Sequence, residues 1–141
     1  MRYYLDTNIL VFLLMESENM SKDVWNLVTD YSNILLTSTV CVQELLHIIR
    51  IGKLRRSRKE DLVKAAQRAY DDLQSLGIHI VPPSDTHFCA FAALPLTGEH
   101  RDPNDRLIIA QALADQLPLI SSDRRFLPYT DLGLQLVFND R

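Results

Sequence analysis

The chain has 141 residues, 47% of them hydrophobic, which is enough apolar side chain for one domain with a buried core and too much for a disordered chain. It has four glycines, contains neither GxGxxG nor GxxxxGK[ST], and its longest apolar run, near ILVFLLM, is far too short to span a bilayer, so a dinucleotide fold, a P-loop and a membrane span are all disfavoured. The net charge of −3 argues weakly against nucleic acid as a partner, yet Arg50, Lys53, Arg55, Arg56, Arg58, Lys59, Lys64 and Arg68 crowd together against only Glu60 and Asp61.

Taken in order, Arg2–Asp6 reads as a short strand with no signal peptide before it. Residues 8–16 and 21–31 read as helices, the second with Ser21 as N-cap, and NILLT (33–37) as a second strand. Ser38 or Thr39 then caps a helix to about Ile51, which Gly52 can end. The basic segment leads into a helix over about 59–76, stopped by Gly77, followed by the strand IHIV (78–81), closed by Pro82–Pro83. A helix over about 85–94 comes next. DPNDRLIIAQALADQ has Asp102 at a helix N-cap and Pro103 at the first helical position. LPLIS (117–121) is a fourth strand, RRFLPYTDLG a short turn-and-helix connection, and LQLVF (134–138) a last strand. Strands alternating with helices imply one mostly parallel sheet covered by helices.

Cys41 and Cys89 both lie in apolar helical stretches and read as reduced core residues of a cytoplasmic protein without a disulfide framework. His47, His79, His87 and His100 are scattered without zinc-ligand spacing, and His47 reads as a partly exposed helical histidine. The basic segment is open to two readings, a solvated helix face or a patch that contacts phosphate.

Four acids stand in less ordinary places. In an open parallel sheet, ligands bind beyond the carboxyl ends of the strands. Asp6 ends the first strand and Asp123 follows the fourth. Glu44 has Val40, Cys41 and Ile48 as helical neighbours, and Asp105 has Ile108, Ile109 and Ala112, so each lies on or beside an apolar face. Taken singly, Asp6 and Asp105 also suit helix N-termini. Asp102, before Pro103, spends its carboxylate on the cap. Together, Asp6, Glu44, Asp105 and Asp123 would raise one another's pKa unless a cation joined them, and an all-oxygen set favours Mg²⁺ or Mn²⁺. Such a cluster suits metal-assisted phosphoryl chemistry.

The ordered stretches LDTNIL, STVCVQELL, HRDPNDRLIIAQA and LISSDRRF resemble the four acidic motifs of PIN domains, and the length and spacing resemble the VapC-type ribonuclease toxins of type II toxin–antitoxin pairs. The resemblance covers essentially the whole chain as one domain. It implies a three-layer α/β/α sandwich with a mostly parallel sheet, a Mg²⁺- or Mn²⁺-dependent endoribonuclease of the cytoplasm, a cognate antitoxin and a homodimer. By position it assigns metal binding and catalysis to Asp6, Glu44, Asp105 and Asp123, and a supporting role to Thr7, Asn8 and Ser121. Many relatives have a histidine where this chain has Asn8 and an aromatic where it has Asn104. The basic segment matches a region where substrate and antitoxin contacts often lie, making Arg50, Lys53, Arg55, Arg56 and Arg58 candidate RNA contacts. Two alternatives remain: a PIN fold that binds RNA or a partner without cutting, and a phosphatase-like enzyme with Asp6 as nucleophile. The second usually wants an acid two residues on, where Asn8 stands.

Overall fold

A computed structural model of the chain describes residues 1–54 and 61–140. The strands are β1 (Arg2–Leu5), β2 (Ile34–Ser38), β3 (His79–Val81), β4 (Leu119–Ser121) and β5 (Leu136–Phe138). They form one sheet in the order β3-β2-β1-β4-β5, and every pair is parallel. The chain builds outward from β1 through β2 to β3, then crosses back to add β4 and β5 on the other side. The switch point therefore lies between β1 and β4, where an open α/β sheet leaves a crevice at its carboxyl edge.

The helices are α1 (Thr7–Met15), α2 (Lys22–Thr29), α3 (Thr39–Arg50), α4 (Leu62–Ser75), α5 (Asp85–Ala93) and α6 (Pro103–Asp115), with 3₁₀ segments at Ser17–Asn19 and Arg124–Leu132. Parallel crossovers are right-handed, so the connections running one way from β1 and the one running back put their helices on opposite faces. The result is a three-layer α/β/α sandwich in which α3 packs on α1 and α4, and α5 packs on α6. Among the described residues no helix is long and apolar enough to cross a membrane.

Side-chain caps set where the helices begin. Ser21 accepts from the Val24 N–H (3.2 Å), Ser38 from Val40 (3.1 Å) and Asp61 from Val63 (3.0 Å). Gly52 and Gly77, at φ 80° and 72°, take the left-handed turn that ends α3 and α4. The last three strands are shorter than their apolar runs. Pro118 accepts from the Tyr4 N–H (2.8 Å) but has no N–H to give, so β4 begins after it. The start expected at Lys59 for α4 lies outside the described residues, as do Arg55, Arg56 and Arg58.

The core is continuous from Tyr4, Leu5, Ile9 and Leu10 through Leu45 and Leu73 to Ile108, Ile109, Leu119, Ile120 and Phe126. Asp115, at the end of α6, accepts from the Tyr4 hydroxyl (2.5 Å) and lies 2.9 Å from Nε2 of buried His87 on α5. That tie fixes α6 against β1 and so sets where its N-terminus meets the sheet edge.

The expectation that both cysteines are core residues holds for Cys41 and fails for Cys89, which α5 turns to solvent. Helical apolar runs near a surface leave some small side chains outward, and Phe88 beside it is also exposed. Burial, reinforced by the charge of Asp6, pushes the Cys41 thiol up to about 12. A thiol reagent at neutral pH should therefore label the native protein once, at Cys89, with Cys41 reacting only after denaturation. Mass spectrometry showing prompt double labelling of the native protein would contradict this packing.

Candidate active site

Asp6 is only 4% exposed at the carboxyl end of the central strand. Its Oδ1 accepts from the Thr7 N–H (2.7 Å), capping α1, and its Oδ2 accepts from the Ser121 hydroxyl (2.7 Å) and the Asn8 side-chain amide (3.3 Å). It is thus a helix cap and a buried acid at once. All of these donors are neutral, so they satisfy the oxygens without cancelling the charge. Burial raises its pKa to about 7, helped by the charges of Asp105 and Glu44 and opposed by the Ser121 and Thr7 hydrogen bonds.

The neighbouring elements bring three more acids to this edge. Glu44, half-buried on α3, accepts from the Thr7 hydroxyl (3.3 Å). Burial and the charge of Asp105 hold its carboxyl above the usual range. Asp105 sits in the first turn of α6, where Asp102 caps the helix by accepting from the N–H groups of Asn104 (2.9 Å) and Asp105 (3.2 Å). Burial raises the Asp105 pKa, as do the charges of Asp102 and Asp123, against a hydrogen bond from His100. Asp123 follows β4, its N–H donating to the Ser121 hydroxyl (3.1 Å). Ser121 thus joins Asp6 to the Asp123 backbone, and Thr7 joins Asp6 to Glu44. Asn8 closes the group by accepting from the Ser122 N–H (3.3 Å).

Asp123 differs from the other three. Its Oδ2 lies 2.7 Å from the Arg125 guanidinium and its Oδ1 accepts from Arg125 Nε (3.0 Å). Burial opposes its ionisation, but the hydrogen bonds and charge of Arg125 outweigh this and hold its carboxyl below the usual range. The same guanidinium reaches Asp105 at 3.5 Å. Among the described residues, no three Asp, Glu, His or Cys side chains converge closely enough to ligate one ion as they stand.

A family model for the PIN domain matches residues 3–131. The chain belongs to the PIN domain family. Its fold is that of chains in the Rickettsia felis VapBC2 complex bound to a promoter DNA fragment (TM-score 0.69, 21% identity, covering 99% of this chain and 100% of that one) and in the FitAcB structure from Neisseria gonorrhoeae (0.71, 19%, 97% and 96%). A chain of VapBC-5 from Mycobacterium tuberculosis, from the VapBC family of toxin–antitoxin systems, is similar too (0.61, 21%, 99% and 98%). No curated protein matches the chain in sequence.

Two parts of this PIN domain's site were not anticipated from sequence. One is Arg125. The other is His100, set aside there as one of four scattered histidines. It is buried, with Nε2 3.1 Å from Asp105 and Nδ1 3.0 Å from the Tyr129 hydroxyl. Arg106 donates to that hydroxyl oxygen (2.9 Å), which leaves the phenol hydrogen for Nδ1 and points Nε2–H at Asp105. A buried relay therefore fixes the Asp105 carboxylate. Its one sequence signal was position: His100 opens the HRDPND stretch that carries Asp105. His47 is exposed on α3, as expected.

A carboxyl whose pKa rises on folding lends stability at low pH and loses it as pH climbs, here from the ordinary 3.8 through about 7. In metal-free buffer, Asp6→Asn should therefore melt higher than wild type above about pH 7, with the difference shrinking toward the ordinary carboxylate range. Thermal melts across that interval check it. A difference that does not vary with pH would mean Asp6 is not strained by its burial.

Proposed function

We propose that this PIN domain is a Mg²⁺- or Mn²⁺-dependent endoribonuclease, the toxin of a toxin–antitoxin pair restrained by a cognate antitoxin. PIN domains are generally nucleases. The observation that carries the reading is the buried Asp6 carboxylate at the switch point, charge-coupled to Glu44 and Asp105 and bonded only to neutral donors among the described residues. The donor set is all oxygen and its repulsion is uncompensated at Asp6, which suits a hard divalent cation.

Asp6, Glu44, Asp105 and Asp123 would hold the ion. When bound, it supplies activation of a water and charge stabilisation at the phosphate. The chain's own residues do the rest. Thr7, Asn8 and Ser121 hold Asp6 in one orientation, and the relay through Tyr129 and His100 does so for Asp105. Burial pushes Asp6 up to about 7, which lowers the negative charge the metal-free site carries at neutral pH. Arg50 and Lys53 are exposed, and the charge of Lys53 is felt at Glu44, which supports Lys53 as a contact for the substrate phosphate. Arg55, Arg56 and Arg58 continue the same basic run. Arg125, paired with Asp123, would compete with the ion for that carboxylate and, where displaced, would offer its guanidinium to the phosphate.

The partner half of the proposal rests on a groove between α1, α3 and α4, lined by Leu14, Met15, Leu54 and Leu62 together with the charged Arg68 and Asp72. It suits an amphipathic antitoxin segment that sets apolar side chains on the leucines and polar ones on Arg68 and Asp72, with a basic side chain reaching the acids. Co-purification with the neighbouring gene's product tests it. A chain that is harmless on expression and finds no partner would remove the toxin half. A homodimer belongs to the same reading, and sedimentation at working concentration decides it.

A second reading, RNA or partner binding without cutting, is favoured by one observation, the pairing of Asp123 with Arg125. Two measurements separate the readings. RNA cleavage should require Mg²⁺ or Mn²⁺, stop in EDTA, and be abolished by Asp6→Asn and Asp105→Asn but little changed by Asp102→Asn, since asparagine caps as well as aspartate. Loss with Asp102→Asn and not with Asp105→Asn would reverse that assignment. Arg125→Gln should tighten Mn²⁺ binding roughly two- to fivefold, the worth of a solvent-screened ion pair, as read by electron paramagnetic resonance. Mn²⁺ affinity left unchanged would mean that Arg125 and the ion do not compete.

A further inference from the structure

Asp6, Ser121 and Phe138 form a row across β1, β4 and β5. The Ser121 hydroxyl bonds Asp6, and Ser121 pairs with Phe138 in the sheet. Neighbouring strands lie about 4.8 Å apart, which puts Phe138 about 10 Å along the carboxyl edge from Asp6. Beside it is a cleft of about 230 Å³ whose lining includes Phe12, Ser122, Arg124, Phe138 and Asn139. The segment after β4 divides between the two places: Asp123 and Arg125 turn to the acids, while Ser122 and Arg124 line the cleft.

We propose that this cleft is a nucleobase subsite, holding one unpaired base of the RNA strand whose phosphate lies over the acids. The inference rests on the ribonuclease reading and extends it. The Arg124 guanidinium lies over the Phe138 ring, 5.3 Å from its centroid, and its side chain is 76% exposed, so its outer face is open. A guanidinium plane backed by an aromatic ring is a stacking platform for a base. Asp140, exposed and 3.8 Å from the guanidinium, partly offsets its charge, which makes Arg124 a weaker phosphate ligand than a free arginine. The cleft is smaller than the roughly 300–1,000 Å³ of sites for larger ligands, which suits one flat ring system. Asn139 has its side-chain oxygen on the Ser21 N–H (2.7 Å) and its amide on the Asn19 carbonyl (2.9 Å), so it builds a fixed wall and does not read base edges. The subsite therefore grips a base by its face, with weak preference among bases.

The probe is a short unstructured RNA, fluorescently labelled, together with the same strand carrying one abasic nucleotide at each position in turn. Binding to the Asp6→Asn protein in Mg²⁺ is read by anisotropy, and cutting of the same strands by the wild type is read separately. One abasic position should weaken binding about tenfold. That penalty should vanish when Arg124→Ala or Arg124→Lys is added, because lysine keeps the charge and loses the plane, and should shrink with Phe138→Leu. The proposal is overturned if the RNA does not bind, if no position stands out, if the penalty survives Arg124→Ala, or if Arg124→Lys behaves as arginine does. A wild type that cuts nothing while the positional signature is present would sink the nuclease reading and leave the subsite. Cutting without any positional signature would do the reverse.

Discussion

The burial of one carboxylate organises this molecule. Asp6 must leave the central strand at the point where the sheet changes direction, and it must be held there with its oxygens in place. Neutral donors do this: a backbone N–H, a serine hydroxyl and an asparagine amide. A basic partner would have been the cheaper solution in stability, since a buried unpaired charge is costly. Choosing neutral donors keeps the oxygens positioned and the negative potential available. Other features follow from the same point. β4 must lie beside β1 so that Ser121 can reach Asp6, and α1 must start at once so that its first N–H is free to be capped.

The other acids arrive by different local devices, and this explains their different charge states. Glu44 rides on α3, and Asp105 rides in a first turn capped by Asp102 and is fixed by His100. Both are pushed toward neutrality by burial and by neighbouring carboxylates, Glu44 by Asp105 and Asp105 by Asp102 and Asp123. Asp123 alone has a cation of its own in Arg125. The site is therefore strained on one side and relieved on the other. Sequences commonly break local rules of burial at functional sites and compensate elsewhere. Here the compensation is visible in the continuous core beneath the acids and in the tie from Tyr4 to Asp115 that anchors α6.

Much of this was legible in the sequence because it is written in local patterns. Alternating strands and helices, caps at Ser21, Ser38 and Asp102, and the glycines after α3 and α4 all act within a few residues of themselves. The acids were legible for a related reason: carboxylates at a strand end or beside an apolar helix stripe are anomalies a pattern can expose. What escaped depends on contacts between distant segments. His100 matters only because Tyr129 and Arg106 come to it from other elements, and periodicity carries no trace of that. Arg125, within the RRFLPYTDLG connection, gains its place in the site only because the fold brings Asp105 to within 3.5 Å of its guanidinium. Cys89 shows the opposite error, where an apolar neighbourhood in sequence became an exposed helix face because α5 packs on α6 with its other side.

The turn after β4 ties these strands of argument together. A parallel strand leaving a sheet edge into a tight 3₁₀ segment sends successive side chains to different places. Ser121, Asp123 and Arg125 all reach the acid cluster, while Ser122 and Arg124 reach the cleft by Phe138. Two consecutive arginines thus meet different surroundings: one faces carboxylates, the other an aromatic ring. Their chemistry divides accordingly, since a guanidinium among carboxylates is a counter-ion and one over a ring is a platform. Substitution at 124 would alter the cleft without touching the acids, whereas substitution at 125 would alter the acids' charge balance first. A fold that keeps those two settings on adjacent residues separates what surrounds the buried carboxylates from what lines the neighbouring cleft.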